Sequence, residues 1–146
     1  MNIALSQLGP KWANDLIKGT KLTLGRWGCT ITSVCMAMRK AGFEITPPEA
    51  AKRFQFTPDG LLKWTSDFQP IKFVERCSYD KKKLDDWLDI KSNYAILQVD
   101  GFHWVFADRF NPLFGHLQAI DPLGGVPIKV LKKYKKITGM ALFTKI

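Results

Sequence analysis

The feature that most constrains the fold is the run of residues 29–41, which is apolar on almost every side. A helix that is hydrophobic all round has no face to give to solvent, so it has to be buried. Gly25 and Gly28 precede the run, and Gly42 follows it where a glycine commonly ends a helix. We therefore expect a central buried helix against which the rest of the chain packs.

Three more helices are predicted, one from a capping pattern and two from the spacing of apolar residues. Thr46 as N-cap, Pro47 in the first turn and Glu49 two positions later predict a helix over residues 48–54. A turn is expected at 57–60. The two apolar patterns predict helices over 61–68 and 80–90, and their members are Leu61, Leu62, Trp64 and Phe68, then Leu84, Trp87 and Leu88.

Short apolar runs separated by turn residues predict the strands. These runs lie at 71–77, 94–99, 102–108, 117–121, 126–131 and 138–144. Most helices come first and most strands follow, an order typical of an α+β domain with helices on one side of an antiparallel meander. Because no repeat or linker interrupts the chain, we expect one domain over residues 1–146.

The charge of the chain bears on its partners rather than on its fold. The net charge is +9, with many lysines in two runs at 81–83 and 129–136. Such a charge predicts attraction to anionic polymers, although a solvated lysine face is the plainer interpretation. Apart from Tyr134 the runs lack interleaved aromatic residues, and no helix-turn-helix or RNA-binding motif occurs, so sequence-specific nucleic-acid binding is not expected.

The sequence also argues against several classes of protein. No apolar run approaches the roughly 18 residues of a membrane span, and residues 1–7 lack the features of a signal peptide. We therefore expect synthesis in the cytoplasm and no membrane span. The three cysteines form no CxxC pair, which argues against a disulfide framework and a structural zinc site. No metal or cofactor is expected.

Cys29 is the candidate nucleophile because it begins the buried helix directly after Gly28. At a helix N-terminus the unpaired N–H groups and the positive end of the macrodipole favour the reactive thiolate. The alternative is that Cys29 is only a small buried hydrophobe, as many cysteines are. Core filling is the expected role of Cys35 and Cys77.

A thiolate nucleophile is usually paired with an imidazole, and the chain has two histidines. His103, at a strand start, is the better candidate, whereas His116 is expected in an exposed loop. The imidazole in turn needs an orienting acceptor. If the strands on either side of 111–115 form a hairpin, Asp121 returns beside His103, while Asp100 and Asp108 are rivals.

A set of short motifs adds to this interpretation. They are SQ at 6–7, KWA at 11–13, TLG at 23–25, GCTITSVCMAM at 28–38, PEAA at 48–51, YAIL at 94–97, FHWV at 102–105 and AIDPLGG at 119–125. In this order and spacing they resemble the C39-like (papain-like) cysteine peptidase family over nearly the whole chain. Two departures, Trp27 before the Gly-Cys pair and the residues 106–108 after the histidine, bear on the shape of the cleft.

The resemblance implies a papain-like fold, with N-terminal helices packed on a C-terminal antiparallel sheet. It implies a hydrolase that cleaves amide bonds through a thioester, with Cys29 as nucleophile, His103 as general base and Asp121 as the residue that orients the imidazole. Gln7 matches the glutamine near the start of the family pattern and is the expected oxyanion donor, together with the backbone N–H of Cys29.

The resemblance leaves open whether the substrate is a double-glycine leader peptide, a protein or a cell-wall peptide. A compact basic hydrolase without a signal is typical of phage wall lysins, which are released by lysis or carried in a virion. Hydrolysis of peptidoglycan peptides is therefore ranked above general proteolysis. The alternative function is a papain-like module that has lost catalysis and serves binding or structure in a larger, virion-type assembly.

Overall fold

A computed structural model describes residues 1–111 and 116–146, apart from the side chains of residues 110, 111 and 116. The helices and strands follow one another as α1 (Leu24–Trp27), α2 (Cys29–Lys40), α3 (Pro47–Arg53), β1 (Ile71–Cys77), α4 (Lys81–Asp89), β2 (Asn93–Val99), β3 (His103–Asn111), β4 (His116–Asp121), β5 (Val126–Lys129), α5 (Val130–Lys133) and β6 (Ile137–Lys145). The predicted α+β class is confirmed. No helix within the described residues is long and apolar enough to cross a bilayer.

The strands form one six-stranded sheet in the order β1-β6-β2-β3-β4-β5, and every neighbouring pair is antiparallel. Strands β2 to β5 form the predicted meander, but β6 departs from it by inserting between β1 and β2. The reason is burial: Met140 to Phe143 are all buried, so both faces of β6 need cover, as in a central strand. Strand β1 alternates between buried and exposed residues and lies at the edge.

Helix α2 is the buried central helix that the sequence predicts. Its residues from Ile31 to Met38 are all buried, and it packs on one face of the sheet beside Ile96, Phe106 and Phe143. It ends before Gly42, whose φ of 96° is one that residues with a side chain rarely adopt. Because α2 is fixed by this packing, the position of its first residue is fixed as well.

The expectation that the helices lie on one side of the sheet is wrong. Helices α4 and α5 cover the opposite face, where Leu84, Leu88 and Val130 pack with Leu97 and Val105. Strand β2 is buried along nearly its whole length, so neither of its faces can be left to solvent. Both faces of the sheet therefore carry helices.

Two local predictions also fail. Residues 61–68 form no helix: the chain reverses at the predicted turn 57–60, and Leu62 forms a β-bridge with Phe56. Trp64 then stacks on Phe73, with ring centroids 5.1 Å apart, so packing against the sheet overrides the helical spacing. The strand predicted at 126–131 ends at Lys129, where α5 begins.

Candidate active site

Cys29 is the first residue of α2 and lies half-buried, directly after the short helix α1. Gly28 joins the two helices where a Cβ atom would come 2.4 Å from the carbonyl oxygen of Leu24, so only glycine fits this junction. The thiol sulfur interacts with His103 and with the backbone of Trp104, and it lies 4.0 Å from the hydroxyl of Thr30. The junction thus aims Cys29 at the start of β3.

His103 begins β3 and is almost completely buried. Its Nε2 lies 2.9 Å from Oδ1 of Asp121, which ends the neighbouring antiparallel strand β4. Since Nε2 is engaged by the carboxylate, Nδ1 is the ring nitrogen available to Cys29. The structure therefore brings together the sulfur, the imidazole and the carboxylate in a chain of contacts. The tip of the β3–β4 connection, residues 112–115, lies outside the described residues.

Asp121 is fully buried and accepts a hydrogen bond from four donors. Oδ1 receives the His103 imidazole and the backbone N–H of Leu123, each at 2.9 Å. Oδ2 receives Nζ of Lys133 at 2.6 Å and the hydroxyl of Tyr134. Burial alone would raise the pKa of Asp121, but these hydrogen bonds outweigh it and hold the pKa well below its usual range. The carboxylate is therefore charged and fixed in orientation.

The ionisation of Cys29 and His103 follows from their contact. Burial opposes the charged form of both groups, but the imidazole outweighs it for Cys29 and lowers the pKa of the thiol. For His103 the hydrogen bonds and charges of Asp121 and Cys29 outweigh burial and raise the pKa to about 9. Each shift favours a thiolate beside an imidazolium, the nucleophilic state of such a pair.

The other candidates lie away from this pair. Cys35 is completely buried, which raises the pKa of its thiol, and Cys77 ends β1. Asp100 accepts the backbone N–H groups of residues 135 and 136, and Asp108 forms an ion pair with Lys40. His116 begins β4 instead of lying in a loop, and its side chain is outside the described residues.

Gln7 lies on the same cleft as Cys29 and is almost completely buried. Its backbone N–H donates to the carbonyl of Pro122 at 2.8 Å, and its side-chain Nε2 donates to the carbonyl of Gly25 at 3.0 Å. One N–H of the amide is thus used to hold the side chain, which leaves the other for a ligand. Its Oε1 has no hydrogen-bond partner among the described residues.

Sequence reasoning missed Lys133 and Tyr134, which hold the far oxygen of Asp121. Burial and the neighbouring carboxylate raise the pKa of Tyr134, so its hydroxyl stays protonated and donates. The only signal in the sequence is that Tyr134 is the one aromatic residue of the second lysine run. A solvated face is the plainer interpretation of that run, and Lys133 is indeed exposed by 41%, but its Nζ reaches the buried carboxylate of Asp121.

The site opens into a cleft of about 770 Å³. Gln7, Cys29 and His103 line it together with residues from α1, the loop 56–62 and the β2–β3 turn. Trp27, the first departure from the family pattern, lies on the rim with half of its surface exposed. The second departure does not reach the cleft, because Phe106 and Ala107 are buried within β3.

Comparisons with protein-family models, with curated proteins and with solved structures found no match for this chain. The papain-like interpretation of the fold and the assignment of roles therefore depend on the residues and their geometry. Within the described part of the chain, no group of three or more His, Cys, Asp or Glu side chains is arranged to hold a metal ion.

Proposed function

We propose that the chain is a C39-like domain with a papain-like fold, a cysteine-dependent hydrolase that cleaves amide bonds by acyl transfer to Cys29. The observation that carries the proposal is the line of contacts from Cys29 through His103 to the buried Asp121, at the bottom of an open cleft. A nucleophile in hydrogen-bond reach of a base, and a base in hydrogen-bond reach of an orienting carboxylate, form the arrangement that nucleophilic catalysis requires.

In the acylation step the thiolate of Cys29 attacks the amide carbonyl carbon, and a carbon–sulfur bond forms. The oxyanion accepts hydrogen bonds from the free N–H of the Gln7 amide and from the backbone N–H of Cys29. The imidazolium of His103 then gives its Nδ1 proton to the leaving nitrogen as the carbon–nitrogen bond breaks. An amine leaves, and a thioester on Cys29 remains.

In the deacylation step His103 takes a proton from a water molecule, whose oxygen attacks the thioester carbon. The carbon–sulfur bond breaks, a carboxylic acid leaves, and the thiolate–imidazolium pair is restored. Asp121 accepts from Nε2 throughout, which keeps Nδ1 directed at Cys29. Lys133 and Tyr134 act on the reaction only through Asp121, so we assign them a positioning role.

The first test measures the reactivity of the three thiols. We expect iodoacetamide at neutral pH to label Cys29 much faster than Cys35 or Cys77, because His103 lowers the pKa of the Cys29 thiol and Cys29 lines the open cleft. Labelling is followed by mass spectrometry of the peptides, with Cys29→Ala as the control. Slow labelling at equal rates would contradict the proposal and favour a papain-like binding or structural module without catalysis.

The second test separates the two substrate classes. Wild type and Cys29→Ala are incubated with casein and with purified peptidoglycan, and new amino groups are counted. The charge of +9 supports peptidoglycan, whose associated polymers are anionic and attract a basic protein. Amines released by the wild type alone would support the hydrolase, and the substrate that yields them would identify the class. Equal values for both proteins on both substrates would contradict the proposed activity.

A further inference from the structure

One wall of the cleft is built from four apolar side chains, Leu22, Phe56, Leu61 and Leu62, which we call the apolar wall. Leu61 keeps 63% of its surface exposed, and the other three are half-buried. These residues come from two separate stretches of chain and line the same cleft as the thiol. Soluble proteins rarely leave such a contiguous apolar surface uncovered unless a ligand or partner binds there.

The apolar wall is held in place by its own loop. The backbone N–H of Leu61 donates to the hydroxyl of Thr57, and the N–H of Thr57 donates to the carbonyl of Leu61. Gly60 has a φ of 84°, and a Cβ atom there would come 2.6 Å from Leu22. The turn therefore packs directly on Leu22. A ligand that binds this wall finds a formed surface and does not have to order it.

Three further apolar side chains, all exposed, also line the cleft. They are Trp27, Phe102 and Leu123, and Phe102 is exposed by 74%. Two charged side chains, Arg26 and Asp59, also line the cleft, and they carry opposite charges. A chain with a net charge of +9 therefore has a balanced and mostly apolar surface around its thiol.

We infer that the substrate is a peptide or protein with a bulky apolar side chain, such as Leu or Phe, within two residues of the cleaved amide. The apolar wall takes this side chain while the amide lies over Cys29. The inference rests on the proposed hydrolase and refines its substrate. It disfavours a double-glycine end, which has no side chain to bind. It also disfavours peptidoglycan stem peptides, whose side chains are small or charged, although the overall charge alone favours them.

The test uses two internally quenched peptides that differ only in having Leu or Gly at the positions within two residues of the scissile bond. We expect kcat/KM to be about 10-fold or more higher for the leucine peptide. Leu61→Ser is expected to remove most of this preference, because Leu61 is the most exposed side chain of the apolar wall. Ile90→Ser, a similarly exposed residue at the end of α4, is the matched control and should keep the preference.

Binding to Cys29→Ala separates this inference from the proposed activity. Each peptide is labelled and titrated with Cys29→Ala, which cannot cleave it. Fluorescence anisotropy then gives the two dissociation constants. Tighter binding of the leucine peptide, weakened by Leu61→Ser, would support the inference even if the wild type cleaved neither peptide. Equal binding of both peptides, or equal cleavage of both by the wild type, would overturn the inference while leaving the proposed reaction intact.

Discussion

The two lysine runs look alike in sequence and differ in structure. In residues 81–83 every lysine reaches a carboxylate on the surface, and the pairs are Lys81–Asp85 at 2.6 Å, Lys82–Asp86 at 2.8 Å and Lys83–Glu75 at 2.8 Å. In the second run Lys133 reaches Asp121 at the same 2.6 Å, but this carboxylate is completely buried. Exposed ion pairs contribute little to stability because water screens the charges. A buried carboxylate, in contrast, needs its partners to stay charged away from water. Burial therefore decides the importance of these pairs.

The largest effect is expected from Asp121→Asn. The change keeps the size of the side chain but removes the charge that orients the His103 imidazole. A loss of about 10⁴-fold in kcat is expected, as for other imidazoles that lose their orienting carboxylate. Assays of amide hydrolysis at saturating substrate give the value. Activity within a few-fold of wild type would show that Asp121 does not orient His103.

The same variant is expected to change how stability depends on pH. The folded pKa of Asp121 lies below its unfolded value of about 3.9, so its contribution is present above that pH and is lost as the pH falls toward the folded pKa. Asparagine does not titrate. The advantage of wild type over Asp121→Asn in unfolding free energy, about 2 kcal/mol at pH 6, should therefore shrink on acidification to about pH 2. Urea unfolding of both proteins between pH 6 and pH 2 measures this difference in free energy. A difference that stays constant would contradict a lowered pKa of Asp121.

A smaller effect is expected from Lys133→Met, which keeps the apolar stem and removes the charge beside Asp121. We expect kcat to fall by about 10-fold through looser positioning of the carboxylate. Removing a positive charge near the imidazolium should also raise the pKa of His103 above its value of about 9. The alkaline limb of the activity profile should then move to higher pH. A fall in kcat with an unmoved profile would point to a purely structural role.

The smallest effect is expected from Lys82→Met, the matched change in the first run. Its ion pair with Asp86 is exposed on both sides, so water replaces it when the lysine is removed. We expect thermal melting and activity to match those of wild type. A loss comparable to that of Lys133→Met would mean that burial does not distinguish the two runs.

Much of the frame of the site follows from local patterns in the sequence. The buried helix of residues 29–40 is visible because its apolar pattern has no polar face and a glycine lies at each end. The strands that carry His103 and Asp121 are visible because each is bounded by turn residues. The C39-like resemblance and the hairpin geometry both favour Asp121, rather than Asp100 or Asp108, as the partner of His103.

What the sequence does not predict depends on contacts between distant segments. The helix expected at 61–68 is absent because Trp64 stacks on β1 and Leu61 turns toward the cleft. The contact of Lys133 with Asp121 requires α5 to follow β5 directly, and its four residues are too few to give a periodic signal. The apolar wall, which carries the substrate inference, combines Leu22 with this loop, and only the turn at 57–60 is predicted from the sequence.

The placement of β6 has a consequence for biosynthesis. Among the described strands, β1 joins the remainder of the sheet only through β6, which follows all the others in the sequence. Until β6 has been synthesised, the unpaired edges of β1 and β2 are exposed, and such edges are prone to aggregation. The sheet cannot be completed before β6 is available, and its many long-range pairings favour slow maturation.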